Sequence, residues 1–154
     1  MLRIIGLILL IGAAIAAYLA PIGPMPGVRL GGIETAAPQQ WADVPIPMTV
    51  QLKTTGGSLP RVVNIWVVNH NNELYVFGQA DSGWVQAASA NPAVPLRMGD
   101  AAYALTAVRE ADTASAAYGA YLDRYRADYP ELVGSLPPAS EGLAAGAAFR
   151  LTRS

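Results

Sequence analysis

Cysteine is absent from the 154 residues, and histidine and lysine occur once each, at His70 and Lys53. A disulfide scaffold and a Cys-ligated metal centre are therefore excluded. With a single His, a metal site would need a carboxylate cluster, and the acidic residues are spread along the chain, so no metal is expected. Charge of either sign is scarce: 14% of the residues are Asp, Glu, Lys or Arg, against roughly 25% in an ordinary soluble domain. Ten basic residues against eleven acidic ones leave a formal charge of −1. All but one of the bases are scattered arginines, so the positive footprint of a nucleic-acid binder is missing and no nucleic-acid partner is expected. Ser58, Ser82 and Ser89 have no His–acid constellation nearby, which leaves triad-type hydrolysis unsupported. His70 sits in an Asn-rich turn, where a general base would have neither a partner nor a cleft.

What the chain does have is an apolar beginning. Residues 2–20 carry one charge, Arg3, among Ile, Leu, Gly and Ala, and Pro21 and Pro24 close the run. A helix over that run rises about 28 Å, close to the roughly 30 Å of a bilayer's hydrocarbon core. The expectation is a transmembrane helix through the lipid bilayer, with Tyr18 at the interface, in a single-pass inner-membrane protein. A cleaved signal peptide, with Ala14-Ile15-Ala16 as its cleavage site, is the rival reading. Both readings put the rest of the chain on the extracytoplasmic, periplasmic side, because Arg3 is the only early base. Residues 1–20 are then the anchor, 21–44 a Pro/Gly-rich linker, and 45–154 one folded domain.

Within that domain the pattern turns to strands. Residues 48–54 alternate apolar and polar, the mark of a half-buried strand. Thr55-Gly56-Gly57-Ser58 is a turn, and 61–68 is a β-branched and aromatic strand. Asn69-His70-Asn71-Asn72 turns the chain into a returning strand over 73–78, a hairpin. Residues 84–90 suit a short helix stopped by Asn91-Pro92. Strands follow over 94–98 and 101–109 about a Gly99-Asp100 turn. Asp112 or Thr113 caps a helix over 114–129 that repeats Tyr118, Leu122, Tyr125 and Tyr129 along one face, a stripe suited to packing on a barrel. Pro137 and Pro138 open a Gly/Ala-rich loop, and 148–152 is a closing strand. The expected fold class is mainly β with helices: a small antiparallel barrel of about six strands, helices on its outside, preceded by the transmembrane helix.

Two stretches of this layout resemble the split β-barrel flavin and deazaflavin proteins, the group of pyridoxamine-phosphate-oxidase-like folds and F420-dependent nitroreductases. One is Leu52-Lys53-Thr54-Thr55-Gly56-Gly57-Ser58-Leu59-Pro60-Arg61, similar to that family's strand–turn–strand opening. The other is Trp84 followed by Ala90-Asn91-Pro92, similar to the family's Trp, short helix and Ala-Asn-Pro. The resemblance covers residues 45–152 and implies a split barrel whose first turn holds a cofactor phosphate. Lys53, Thr55, Gly56, Gly57, Ser58 and Arg61 are the implied phosphate contacts, with Trp84 beside the flavin ring, since backbone N–H groups and a cation in a tight turn form an anion site. The sequence departs from the family pattern in that turn, shortened to Gly56-Gly57-Ser58, and in the helix, where Ala87 and Ala88 replace an Asn-Leu pair. With those losses no cofactor is firmly implied. FMN or another flavin stays open, and F420 is disfavoured because a deazaflavin suits an extracytoplasmic domain poorly.

Two functions compete at this point. Loss of polar residues from the scaffold favours a membrane-anchored extracytoplasmic accessory or binding domain, acting as a homodimer or with a membrane-protein partner. The alternative is a flavin-dependent oxidoreductase of the nitroreductase-like class. A third, a small barrel for an apolar ligand or lipid, follows from the 53% hydrophobic content. The candidate residues also have plainer roles. Lys53 is a solvated edge-strand charge, Trp66 and Trp84 are core, residues 81–84 are a loop rather than an anion-binding nest, and Arg97 and Arg109 face outward. No catalytic residue is assigned.

Overall fold

The computed structural model describes residues 2–19, 21, 26–111 and 114–154. In chain order these form α1 (Leu2–Leu19), β1 (Ile33–Thr35), a 3-10 turn (Trp41–Asp43), β2 (Val50–Thr54), β3 (Arg61–Ile65), β4 (Val68–His70), β5 (Glu73–Gln79), α2 (Gly83–Ala90), β6 (Leu96–Met98), β7 (Ala101–Tyr103), β8 (Leu105–Glu110), α3 (Ala114–Arg126), α4 (Pro130–Ser135), α5 (Ala139–Ala145) and β9 (Gly146–Arg153). The strands make a five-stranded sheet ordered β1-β7-β6-β2-β3 and a four-stranded sheet ordered β4-β5-β9-β8. Pairing is antiparallel except between β1 and β7.

The chain passes between the sheets three times, once through α2 and twice at corners that each split a run that reads as one strand. Residues 61–68 break at Trp66-Val67, and 101–109 break at Ala104. At the first corner Tyr125 replaces the ladder bonds that Val67 forfeits. Its hydroxyl accepts from the Val67 N–H at 2.9 Å and shares its proton between the carbonyls of Val67 and Met48, each 2.9 Å away. The β4–β5 hairpin closes on Asn71 and Asn72, both left-handed at φ 53° and 62°, the geometry that a two-residue hairpin turn needs and that Asn tolerates.

The main core lies between the sheets and is built from Leu52, Leu74, Leu96, Leu105, Phe149 and Leu151 with Trp41. A second cluster lies on the other face of the four-stranded sheet, where α3 lays Ala117, Tyr118, Tyr121 and Tyr125 on Val68 and Tyr75. Of the stripe read from the sequence, Tyr118 and Tyr125 are buried, Leu122 is half-buried and Tyr129 is 40% exposed. The helix ends at Arg126 and Pro130 opens α4, so Tyr129 leaves the stripe and Tyr121 occupies the buried face. The expected caps Asp112 and Thr113 lie outside the described residues.

Among the described residues helix outnumbers strand, so the class is mixed α/β rather than mainly β. Part of the excess is α4, in a stretch the sequence left unassigned, and α5, which falls in the expected Gly/Ala-rich loop. Pro130 occupies a first-turn position and Pro138 stands just before α5, sites where a missing N–H costs no helical bond. Among the described residues the strands number nine rather than about six, because the corners split two runs and β1 adds another. The described part of the supposed linker is woven into the domain. Gly27 and Val62 exchange backbone bonds of 2.8 and 2.7 Å, β1 pairs with β7, and Trp41 is buried edge-on to Tyr103. The Asn72 side chain holds this segment, accepting from the Trp41 N–H at 2.7 Å and donating to the Gln39 carbonyl at 2.8 Å.

Helix α1 forms where the apolar run predicts a helix, but it is not a membrane span. The helix covers 18 residues, and Gly6, Gly12, Ala13, Ala14 and Ala16 set small side chains among its isoleucines and leucines. Among the described residues no helix is long and apolar enough to cross a membrane. This overturns the expected transmembrane anchor and the single-pass inner-membrane, periplasmic placement that follows from it.

Candidate functional site

The register of the first hairpin decides what its two cations can do together. Lys53 pairs with Val62, and Thr54 with Arg61. Directly paired residues share a face, so Lys53 and Arg61 point to opposite sides of the sheet. Lys53 shares the outer face with Gln51 and Asn64, whereas Arg61 shares the inner face with Thr54, Leu52 and Val63. Arg61 reaches the N-terminus of α2, where a guanidinium nitrogen stands 3.0 Å from the position a Gly83 Cβ would take.

That helix start is open. Ser82 gives it no side-chain cap and instead donates to the Gln79 carbonyl at 2.8 Å. The first helical bond is from the Gln86 N–H to the Ser82 carbonyl, which leaves the amides of Gly83, Trp84 and Val85 without helical acceptors. Arg61 takes part in none of the ion pairs found among the described residues. A guanidinium beside the positive end of a helix is an electrostatic cost unless an anion lies between them. Thr54, the cross-strand partner of Arg61, is fully buried, and its hydroxyl oxygen has no hydrogen-bond partner.

The other nominated residues divide differently. A Cβ on Gly56 would collide with the Ala87 carbonyl oxygen and stand 2.8 Å from the Asn91 nitrogen. The Asn91 side-chain amide donates to the Thr55 hydroxyl at 2.9 Å. Thr55 and Gly56 therefore seat the C-terminal half of α2 on the hairpin. Gly57 and Ser58 are exposed at the tip. Trp84 is half-buried and turned inward, its ring over Gly78 and 5.9 Å from that of Phe149. Of the nominated side chains only that of Arg61 is brought to the open helix end, where Trp84 contributes its backbone amide.

Sequence reasoning missed Tyr121. Its ring meets Phe77 at 5.0 Å and Tyr125 at 5.2 Å, and Tyr125 stacks on Trp66 at 4.2 Å with planes 5° apart. Burial pushes the phenols of Tyr118, Tyr121 and Tyr125 above their ordinary value, and for Tyr121 the neighbouring Tyr125 and Tyr118 add to the rise. The signal was its place three residues after Tyr118 and four before Tyr125, on the same helical stripe.

No family model matches the chain, and no curated protein matches it. Solved structures do. A conserved hypothetical protein from Mycobacterium tuberculosis superposes with a TM-score of 0.54 at 16% identity, covering 75% of this chain and 86% of that one. An F420 reductase gives 0.51 at 18% identity, covering 77% and 96%. The heme storage protein HutZ from Vibrio cholerae gives 0.51 at 16% identity, covering 70% and 82%. The fold is the split β-barrel.

Within this split barrel one departure from the family pattern has a packing reason. Ala87 and Ala88 are 6% and 1% exposed. They lie where α2 meets the Gly56 turn and the core, and larger polar side chains there would push helix and hairpin apart. The shortened turn and the alanines are thus parts of one close contact.

Proposed function

We propose that this split barrel binds a flavin-type cofactor and serves as an oxidoreductase. The observation that carries the reading is Arg61, unpaired beside the uncapped N-terminus of α2, in a fold shared with an F420 reductase. A phosphate suits such a pairing, because a guanidinium fork grips its oxygens and first-turn amides point at it. The partnerless Thr54 hydroxyl, on the sheet face that carries Arg61, fits a polar group at the same end of the barrel. When bound, a flavin or deazaflavin supplies hydride or electron transfer. The chain's part is to hold the phosphate with Arg61 and the Gly83 and Trp84 amides, and to keep α2 seated through Gly56, Thr55 and Asn91.

Fluorescence titration of FMN and of F420 into the purified protein tests this. One of the two is expected to bind in the micromolar range. Arg61→Ala should weaken it about 10-fold or more, whereas Lys53→Ala, on the other sheet face, should leave it unchanged. If neither cofactor binds more tightly than about 100 μM, or −5.5 kcal/mol, the barrel is instead a non-catalytic binding domain.

A further inference from the structure

A second site lies away from α2, on the opposite face of the four-stranded sheet from Trp84. A cavity of about 200 Å³ opens between β5, the start of β9, α3 and α5, walled by Phe77, Tyr118, Tyr121, Leu136, Pro137 and Leu143. No residue lining it carries a charge. Its mouth is marked by Gln79, Pro137 and Ala145, which are exposed.

The void is not loose packing. A Cβ on Gly142 would come within 3.0 Å of the Tyr118 hydroxyl and 3.3 Å of Pro137, and one on Gly146 within 2.6 Å of the Gly142 carbonyl. The walls already meet as closely as glycine allows, and the space remains between them. A dry cavity of about 150 Å³ accepts a benzene-sized guest, so this one has room for a ring with a short substituent. Sites for larger molecules run from roughly 300 Å³ upward, which excludes a flavin here.

Polarity narrows the guest further. Burying a charge without a counter-charge is costly, so the guest is uncharged. The Tyr118 hydroxyl is already committed, donating to the Pro137 carbonyl at 3.1 Å. Tyr121 also lines the cavity, its hydroxyl makes no such bond among the described residues, and burial favours the protonated phenol, which leaves it free to donate to a guest. Phe77 lies edge-on to both tyrosines, at 5.1 and 5.0 Å, and such aromatic walls favour an aromatic guest.

We propose that this cavity binds a small uncharged aromatic molecule carrying one hydrogen-bond acceptor, which takes its bond from the Tyr121 hydroxyl. The proposal stands apart from the flavin reading, since the two sites lie on different faces of β5.

Acetophenone and α-methylstyrene, alike in shape but with and without a carbonyl acceptor, are titrated into the full chain by ligand-observed NMR. Acetophenone is expected to bind with a Kd below about 1 mM and more tightly than α-methylstyrene. Tyr121→Phe should weaken acetophenone alone, by about 3- to 10-fold. Ala145→Leu, at the exposed mouth, should abolish binding of both while the melting temperature holds. The proposal is overturned if neither compound binds below about 1 mM, if Ala145→Leu leaves binding intact, or if Tyr121→Phe weakens both compounds equally. Because FMN or F420 titration of the same variants reads the α2 site, failure of one reading is distinguishable from failure of the other.

Discussion

The Tyr125 hydroxyl sits 2.9 Å from both the amide nitrogen and the carbonyl oxygen of Val67. One side chain from α3 thus satisfies both backbone groups at the corner where β3 hands the chain to β4. Tyr125→Phe keeps the stack on Trp66 but strands a buried N–H, which should cost about 2–4 kcal/mol. For a chain of this size the melting temperature should fall by roughly 5–12 °C. An unchanged melting temperature in scanning calorimetry would mean that water replaces the hydroxyl and that the corner does not depend on Tyr125.

The seat of α2 on the first hairpin makes a sharp contrast between neighbouring glycines. Gly56→Ala drives a methyl group into the Ala87 carbonyl, and overpacking of that kind costs about 1–3 kcal/mol. At Gly57 the nearest atom to an added Cβ is 3.8 Å away, so Gly57→Ala should stay within about 0.5 kcal/mol of the parent protein. Urea denaturation of the two variants checks the pair, and equal stabilities would refute the contact.

Helix α3 buries one face and only half-buries its flank. Ala117 is fully buried whereas Leu122 is not. Ala117→Asp should therefore cost roughly 3 kcal/mol or more, because its carboxylate has no route to water. Leu122→Asp should cost about 1 kcal/mol. Chemical denaturation that ranks Leu122→Asp as the more damaging change would mean that the helix is rotated about its axis.

The tyrosine cluster imposes a pH dependence on stability. Tyr118, Tyr121 and Tyr125 hold their protons more tightly folded than unfolded, burial being the leading cause. Below about pH 10, the unfolded tyrosine value, both states are protonated and this source of stability is fully present. Above it the unfolded chain loses protons that the folded one keeps, so stability falls as pH rises. The melting temperature should be steady from about pH 7 to 9 and drop beyond about pH 10. Tyr121→Phe should shallow that drop, and an identical slope in the variant would remove Tyr121 from the explanation.

Much of the fold was legible because local patterns act through the backbone nearby. Alternation over 48–54, the Asn71-Asn72 turn and the Asn91-Pro92 stop each act within a few residues, and β2, the β4–β5 hairpin and α2 lie where those signals put them. The Gly56 turn and the Trp84 helix carry the split-barrel resemblance for the same reason. Other features depend on partners far along the chain. The break at Trp66-Val67 is held by Tyr125, 58 residues beyond Val67. Whether Lys53 and Arg61 converge turns on strand register, where a shift of one residue reverses every side chain. Trp84 faces inward because Gly78 leaves room for its ring. The cavity beside Tyr121 exists only where α5 closes over β5 and α3. Periodicity and turn chemistry are local and can be read along a chain, while register, facing and enclosed space arise between segments and are decided only when those segments pack.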